Sequence, residues 1–255
     1  MNAREFFRDP LAIALLALGA INAVVYLVLN SLDGIEYPTI AFYCATPVFS
    51  ALVLFGISRF YGKGSSEGRV WFFITMGMTL WAVGEIIWVF YDLSDMDPFP
   101  SAADAVFIAA YMPIILAFYL KATFTKVEMN AKNNAIIAVL LTAVAIPTFV
   151  YVGNPIMTDT DYDLLSKAVS LTYPILDIIL LGFALFVAVY WGPTISKGWY
   201  IVATAVALMA LADTSYAALE WQGVYISHLD LIWVASYIVF ALGGLYQKKH
   251  HESFM

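Results

Sequence analysis

Two carboxylic acids sit deep inside apolar stretches of this sequence. Glu85 lies within WFFITMGMTLWAVGEIIWVFY (71–91) and Asp213 within WYIVATAVALMALADTSYAAL (199–219). Asp104 and Asp230 stand near the start of the following apolar runs, SAADAVFIAAY (101–111) and SHLDLIWVASY (227–237), and Asp177 follows Pro174 in another. An ionised carboxylate facing lipid costs several kcal/mol, so each acid must face protein or water, find a partner, or carry a proton. Trp88 and Tyr216 follow Glu85 and Asp213 by one helical turn on the same face, so each acid has an aromatic neighbour. That pairing suits an ammonium or other small cation through Coulomb and cation–π attraction, and it equally suits packing between helices. For Glu85 and Asp213 two readings therefore stand. One is a buried acid bonded to Trp, Tyr or Ser on another helix; the other is a site for a cation, a proton or a small polar ligand.

Asp104 and Asp230 have a local explanation. Ser101-x-x-Asp104 and Ser227-x-x-Asp230 read as capping boxes, in which the serine accepts from a backbone N–H and the acid reaches back. The acid also suits the positive end of the helix dipole. Asp177, beside the Pro174 kink, has no such explanation, because proline frees a carbonyl that a carboxylate cannot satisfy. Tyr111 and Tyr237 complete the candidate ligand-binding set.

These residues need long apolar elements to hold them. Apolar residues make up 62% of the chain and charged ones 12%, against about 45–50% and 25% in soluble domains, and the mean hydropathy is +0.83. Eight runs can cross a bilayer, near 11–30, 38–60, 70–92, 102–124, 134–153, 164–191, 198–220 and 228–247. Continuous apolar runs without ten-residue alternation exclude barrel strands. The basic start MNAREFFR could open a signal peptide, but the apolar part runs on to Leu29, so an uncleaved first span is expected. Arg4, Arg8, Arg59, Lys63, Arg69, Lys121, Lys126, Lys132, Lys197, Lys248 and Lys249 fall at one set of ends and only Lys167 at the other. This bias predicts a plasma-membrane protein with both termini in the cytoplasm. Asp33, Glu36, Asp92, Asp95, Asp97, Asp159, Asp161 and Asp163 then form an acidic outer rim, and Trp81, Trp88, Phe90, Tyr91 and Phe99 read as an interfacial belt. Glu85 lies seven residues before Asp92, hence roughly 10 Å below the outer surface.

The two acid-bearing halves also align. At one offset Trp71 meets Trp199, Glu85 meets Asp213 and Trp88 meets Tyr216; after a loop two residues shorter, Ser101, Asp104 and Tyr111 meet Ser227, Asp230 and Tyr237. Thr46-Pro47 falls near Tyr173-Pro174, and Ser50 opposite Asp177. The expected fold is therefore an all-α integral membrane protein of eight transmembrane helices, as two parallel four-helix repeats, 1–126 and 127–255, related by an axis along the membrane normal.

The run W-A-V-G-E-x-x-W, followed by P-F-P-S-x-A-D and Tyr-x-Pro at 111–113, resembles a multi-span sensory domain at the N-termini of archaeal histidine kinases and bacterial diguanylate cyclases. Trp81, Trp88, Pro98, Pro100, Ser101, Asp104 and Tyr111 match as they stand, whereas the family pattern has Gly-Asp in place of Gly84-Glu85. The specific part covers only about 35 residues, with a looser echo in the second half. The resemblance implies a membrane sensor or an orphan relative of one. Since no kinase or cyclase follows in QKKHHESFM, either a cytoplasmic or membrane signalling partner is expected to read it or the bundle serves another use.

Other chemistries fare worse. The histidines are His228, His250 and His251, which excludes haem held by paired intramembrane histidines, and no mid-span lysine offers a retinal linkage. Cys44 is the lone cysteine, so neither a disulfide nor a thiolate metal site can form. His228 beside Asp230 lacks the further ligands zinc needs. No phosphate-cradling loop or nucleophile motif is present, and no basic stripe suggests nucleic acid. The sequence thus points to a non-enzymatic, cofactor-free sensor or ligand-responsive module. The alternative is a cation- or proton-coupled transporter or channel using the same carboxylates, and a lipid-active enzyme stands third. The near-absence of ionisable groups from the inner halves of the spans favours a receptor.

Overall fold

A computed structural model describes residues 3–29, 36–124, 128–191, 197–222, 224 and 227–253. Of the residues singled out in the sequence, Asp33 and Lys126 lie outside this set, as do the side chains of Arg4, Glu36 and Ser227. The described chain is all-helical. Its eight long helices are α1 (Pro10–Leu29), α2 (Glu36–Tyr61), α3 (Ser66–Asp92), α4 (Ala102–Thr123), α5 (Ala131–Thr148), α6 (Leu164–Trp191), α7 (Gly198–Glu220) and α8 (Asp230–Glu252). Each is long and apolar enough to span a membrane, which makes this a multi-pass α-helical membrane protein. Helices suit that setting because every backbone N–H and C=O can be satisfied within the element. The fifth span runs further than expected: after Pro147 it passes through a π-helical turn, Phe149–Gly153, into Asn154–Thr158, the kind of local unwinding that proline promotes.

Local chemistry sets several helix starts. Ser65 caps α3 by accepting from Gly68 N–H at 2.8 Å, after a turn in which Gly62 takes φ 78°. Asp9 accepts from Leu11 N–H at 2.9 Å ahead of α1, and Asn130 from Asn133 N–H at 2.9 Å ahead of α5. Asp163 does the same for α6, from Leu165 N–H at 2.7 Å and Ser166 N–H at 3.1 Å. These side chains take up donors that helix ends otherwise leave orphaned.

The most extensive pairings are α3 with α4 and α7 with α8, each flanked by the preceding helix, α2 on α3 and α6 on α7. The two groups meet where α8 packs on α2 and α4 packs on α6. α1 lies against α2 and α8, α5 lies against α6, and these two are the least buried spans. Their exposed Val24, Leu27, Val139 and Ile146 form the surface that lipid would cover. Small residues let the main pairs approach closely. A Cβ at Gly77 of α3 would stand 2.9 Å from the Ala110 carbonyl of α4, and one at Gly198 of α7 would stand 2.8 Å from the Gly243 carbonyl of α8.

The lower core is closed by aromatics. Trp71 and Trp199 stack at 5.4 Å between centroids and 21° between planes, with Phe118 edge-on to Trp199. Lys121, buried at this level, forms an ion pair with Glu67 and lies 5.2 Å over the Trp199 ring. Near the chain ends, Lys249 pairs with Asp9 at 3.0 Å and ties α8 to the start of α1.

Candidate functional site

Tyrosine is the recurring partner of the intramembrane acids. Glu85, buried on α3, accepts at Oε1 from Tyr237 of α8 at 2.6 Å and from Tyr43 of α2 at 3.0 Å. Asp213, partly buried on α7, accepts at Oδ1 from the Trp233 indole of α8 at 2.6 Å and at Oδ2 from Tyr111 of α4 at 2.9 Å. The same Tyr111 hydroxyl lies 2.7 Å from Oδ1 of Asp177, buried on α6, and so bridges the two aspartates. Asp104 takes Tyr173 of α6 on Oδ1 at 2.8 Å, and Tyr26 of α1 donates to Asp230. A phenol is a neutral donor near pH 7, so this arrangement gives every acid a partner without placing a cation in the membrane.

Glu85, Asp213, Tyr111, Tyr237 and Asp177 thus converge, together with Asp104 through Tyr173 on the same helix as Asp177. Two of the contacts are crossed: the acid of α3 binds the tyrosine of α8, and the acid of α7 binds the tyrosine of α4. Trp81 packs between those tyrosines, edge-on to Tyr111 at 5.6 Å and tilted against Tyr237 at 6.3 Å. It is buried in the core, not set in the interfacial belt where its sequence neighbourhood suggested.

Asp104 forms the expected capping box, with Ser101 Oγ accepting from Ala103 N–H at 3.0 Å and Asp104 Oδ2 from Ser101 N–H at 2.7 Å. Its second oxygen is left for Tyr173, so the cap and the network share one carboxylate. Asp230 opens α8 after a 3-10 turn, Ser227–Leu229, and Leu229 stands at the cap position without a side-chain cap. The aromatics one turn beyond the acids play smaller parts. Trp88 is half-buried and outside the acid–tyrosine contacts, while Tyr216 packs edge-on to Trp233 at 5.6 Å and so touches the Asp213 donor. A shared helix face brings two side chains near one another, but the donors that reach these acids come from across helix interfaces.

Sequence reasoning missed Tyr43, Tyr26, Tyr173 and Trp233 as partners. Tyr173 stood in the repeat alignment beside Pro174, and Trp233 lies one turn after Asp230, yet neither position alone signals a donor. It also missed Asn22 of α1, fully buried, whose Nδ2 donates to Phe42 carbonyl at 2.6 Å and to Thr46 Oγ1 at 2.7 Å. These bonds clamp α1 to α2 just before Pro47.

Among the described residues no Lys, Arg or His makes an ion pair with Glu85, Asp104, Asp177 or Asp213. Nor, among them, do three or more His, Cys, Asp or Glu side chains converge as metal ligands. The site can therefore hold charge or protons on acids graded in exposure, from buried Asp177 to partly exposed Asp213. No protein-family model, curated protein or solved structure matches this chain.

Proposed function

We propose that this protein is a non-enzymatic membrane sensor, a ligand-responsive signalling module whose polar site is the acid–tyrosine network in the outer half of the bundle. The observation that carries this reading is the crossed pair Glu85–Tyr237 and Asp213–Tyr111. Each bond joins the first half of the chain to the second. A change of charge or proton occupancy on either acid therefore alters the contact between the halves, which is what a sensor must convert into movement. The ligand classes that suit the site are a small cation, a proton or a small polar molecule. A cytoplasmic or membrane partner would read the resulting change.

In this reading the eight spans are two parallel four-helix repeats, 1–126 and 127–255. Three features support the duplication: the exchanged acid–tyrosine pairs, the stacking of the aligned Trp71 and Trp199, and the matching order of helix contacts in the two halves. The protein would sit in the plasma membrane with both termini in the cytoplasm, as the distribution of Lys and Arg implies. A cation- or proton-coupled transporter is the second reading. The aromatic stack and the Lys121–Glu67 pair below the network weigh against it, since they fill the core between the acids and the lower end of the bundle.

Glu85→Gln tests the sensor reading, because it keeps the shape and the acceptor for both tyrosines while removing the charge. Thermal melts in nanodiscs, with and without monovalent and divalent cations and across pH, should give a ligand-dependent shift for the wild type. The variant should fold and lose that shift. A wild type without any such shift, and a variant that melts with it, would leave Glu85 as a packing group.

A further inference from the structure

The hydroxyl of Tyr111 has one proton and two carboxyl neighbours, Asp177 Oδ1 at 2.7 Å and Asp213 Oδ2 at 2.9 Å. It can donate to one of them. If both acids were ionised, the other contact would set a bare carboxylate oxygen against a phenol lone pair inside the bundle, where desolvation makes such contacts costly. Both distances become hydrogen bonds only when one acid is protonated.

The surroundings choose between the acids. Asp213 is partly exposed and accepts from Trp233 at 2.6 Å, so it has a second donor to support a charge. Asp177 is 2% exposed, and its Oδ2 is buried without any hydrogen-bond donor among the described residues. We infer that the Asp177–Tyr111–Asp213 unit is a proton-binding site that holds one carboxyl proton, resident on Asp177. This rests on the sensor reading for its purpose and narrows the ligand of that network to a proton. The bonds then run in one direction: the Asp177 acid donates to Tyr111 Oη, Tyr111 donates to Asp213, and Trp233 donates to Asp213 from the other side. Shifting both protons along that line passes the carboxyl proton from Asp177 to Asp213, towards the more exposed end, with the phenol neutral before and after.

No neighbouring element neutralises the pair. α4 contributes Tyr111 and Asp104, α6 itself Tyr173, α8 Tyr237, and beyond Tyr237 lie Glu85 of α3 and Cys44 of α2. α5, packed on α6, brings the exposed Lys132 and the π-helical turn after it the exposed Tyr151, while Lys167, ten residues before Asp177 on α6, is turned to the Asp159 carbonyl. The facing groups are acids, phenols and a thiol, none of them positively charged, so a proton is the counter-charge this site can hold.

Infrared difference spectroscopy of the full chain in nanodiscs at neutral pH reads the proton directly, through the C=O stretch of a protonated carboxylic acid and its shift in D2O. The wild type should show this band, Asp177→Asn should abolish it, and Asp97→Asn, at an exposed acid outside the network, should leave it in place. Tyr111→Phe, which removes only the bridging hydroxyl, should move the band in frequency and covers the case in which Asp177→Asn does not fold. Absence of the band from the wild type, or a band indifferent to both Asp177→Asn and Tyr111→Phe, would overturn the inference. The measurement needs no signalling output. The band can therefore survive a wild type that shows no ligand-dependent melting, which separates failure of the sensor reading from failure of the proton site.

Discussion

Removing the Tyr237 hydroxyl takes from Glu85 the shorter of its two donors, at 2.6 Å, in a setting where both residues are buried. Tyr43 would remain as a single, longer donor at 3.0 Å. A buried carboxyl that loses a hydrogen-bond partner forfeits about 1–3 kcal/mol. Tyr237→Phe should therefore lower stability by that order, and Tyr43→Phe by less, in reversible unfolding from mixed micelles. Equal effects would mean that the two hydroxyls are interchangeable and that Glu85 is not anchored to α8. The comparison isolates the hydroxyl, since each phenylalanine preserves the ring and, at position 237, its contact with Trp81.

Helix pairing turns on how closely backbones can approach. Gly198 and Gly243 face each other across α7 and α8, and a Cβ at Gly198 would also stand 3.1 Å from the Gln247 nitrogen. Backbone cannot yield as a flexible side chain can, so Gly198→Ala must push the two helices apart. The expected loss is about 1–3 kcal/mol, the range for overpacking a close interface. Gly56 on α2 is the matched control, because a Cβ there meets nothing within 4 Å. Gly56→Ala should be neutral or stabilise by up to roughly 1 kcal/mol through helix propensity. Thermal melts of the two variants side by side check this, and similar melting points would mean that α7 and α8 have slack between them. Separation of these helices would also disturb the network, since Asp213 rides on α7 and its Trp233 donor on α8.

At the scale of the whole molecule, the network and the aromatic stack occupy different depths of one bundle, with the partly exposed Asp213 and Asp230 belonging to the upper part. Orientation decides which compartment the acids sample. The bias of Lys and Arg predicts that the turn holding Lys63 is cytoplasmic and that the loop holding Asp97 is outside; both residues are solvent-exposed in the fold. In a Cys44→Ser background, Asp97→Cys should react with a membrane-impermeant thiol reagent on sealed cells. Lys63→Cys should react only after the membrane is opened. The reverse pattern would turn the acid network towards the cytoplasm and remove the case for sensing the exterior.

The eight spans were legible in the sequence because a run of about 20 apolar residues needs no partner to declare itself, and so was the Ser101–Asp104 cap, whose atoms lie within one turn. The positions of Glu85 and Asp213 along their helices were legible as well, since position along a helix is a count of residues. Which hydroxyl meets which carboxylate was not. Tyr237 is 152 residues from Glu85, Tyr111 is 102 from Asp213 and Tyr173 is 69 from Asp104, and a continuously apolar helix has no marked face from which its rotation could be read. The same lack of a marked face hid the burial of Trp81 and the stack of Trp71 on Trp199. Composition and local spacing settled how far each acid lies along its helix; the packing of eight helices, through rotation and close approach at small residues, decided what each acid touches.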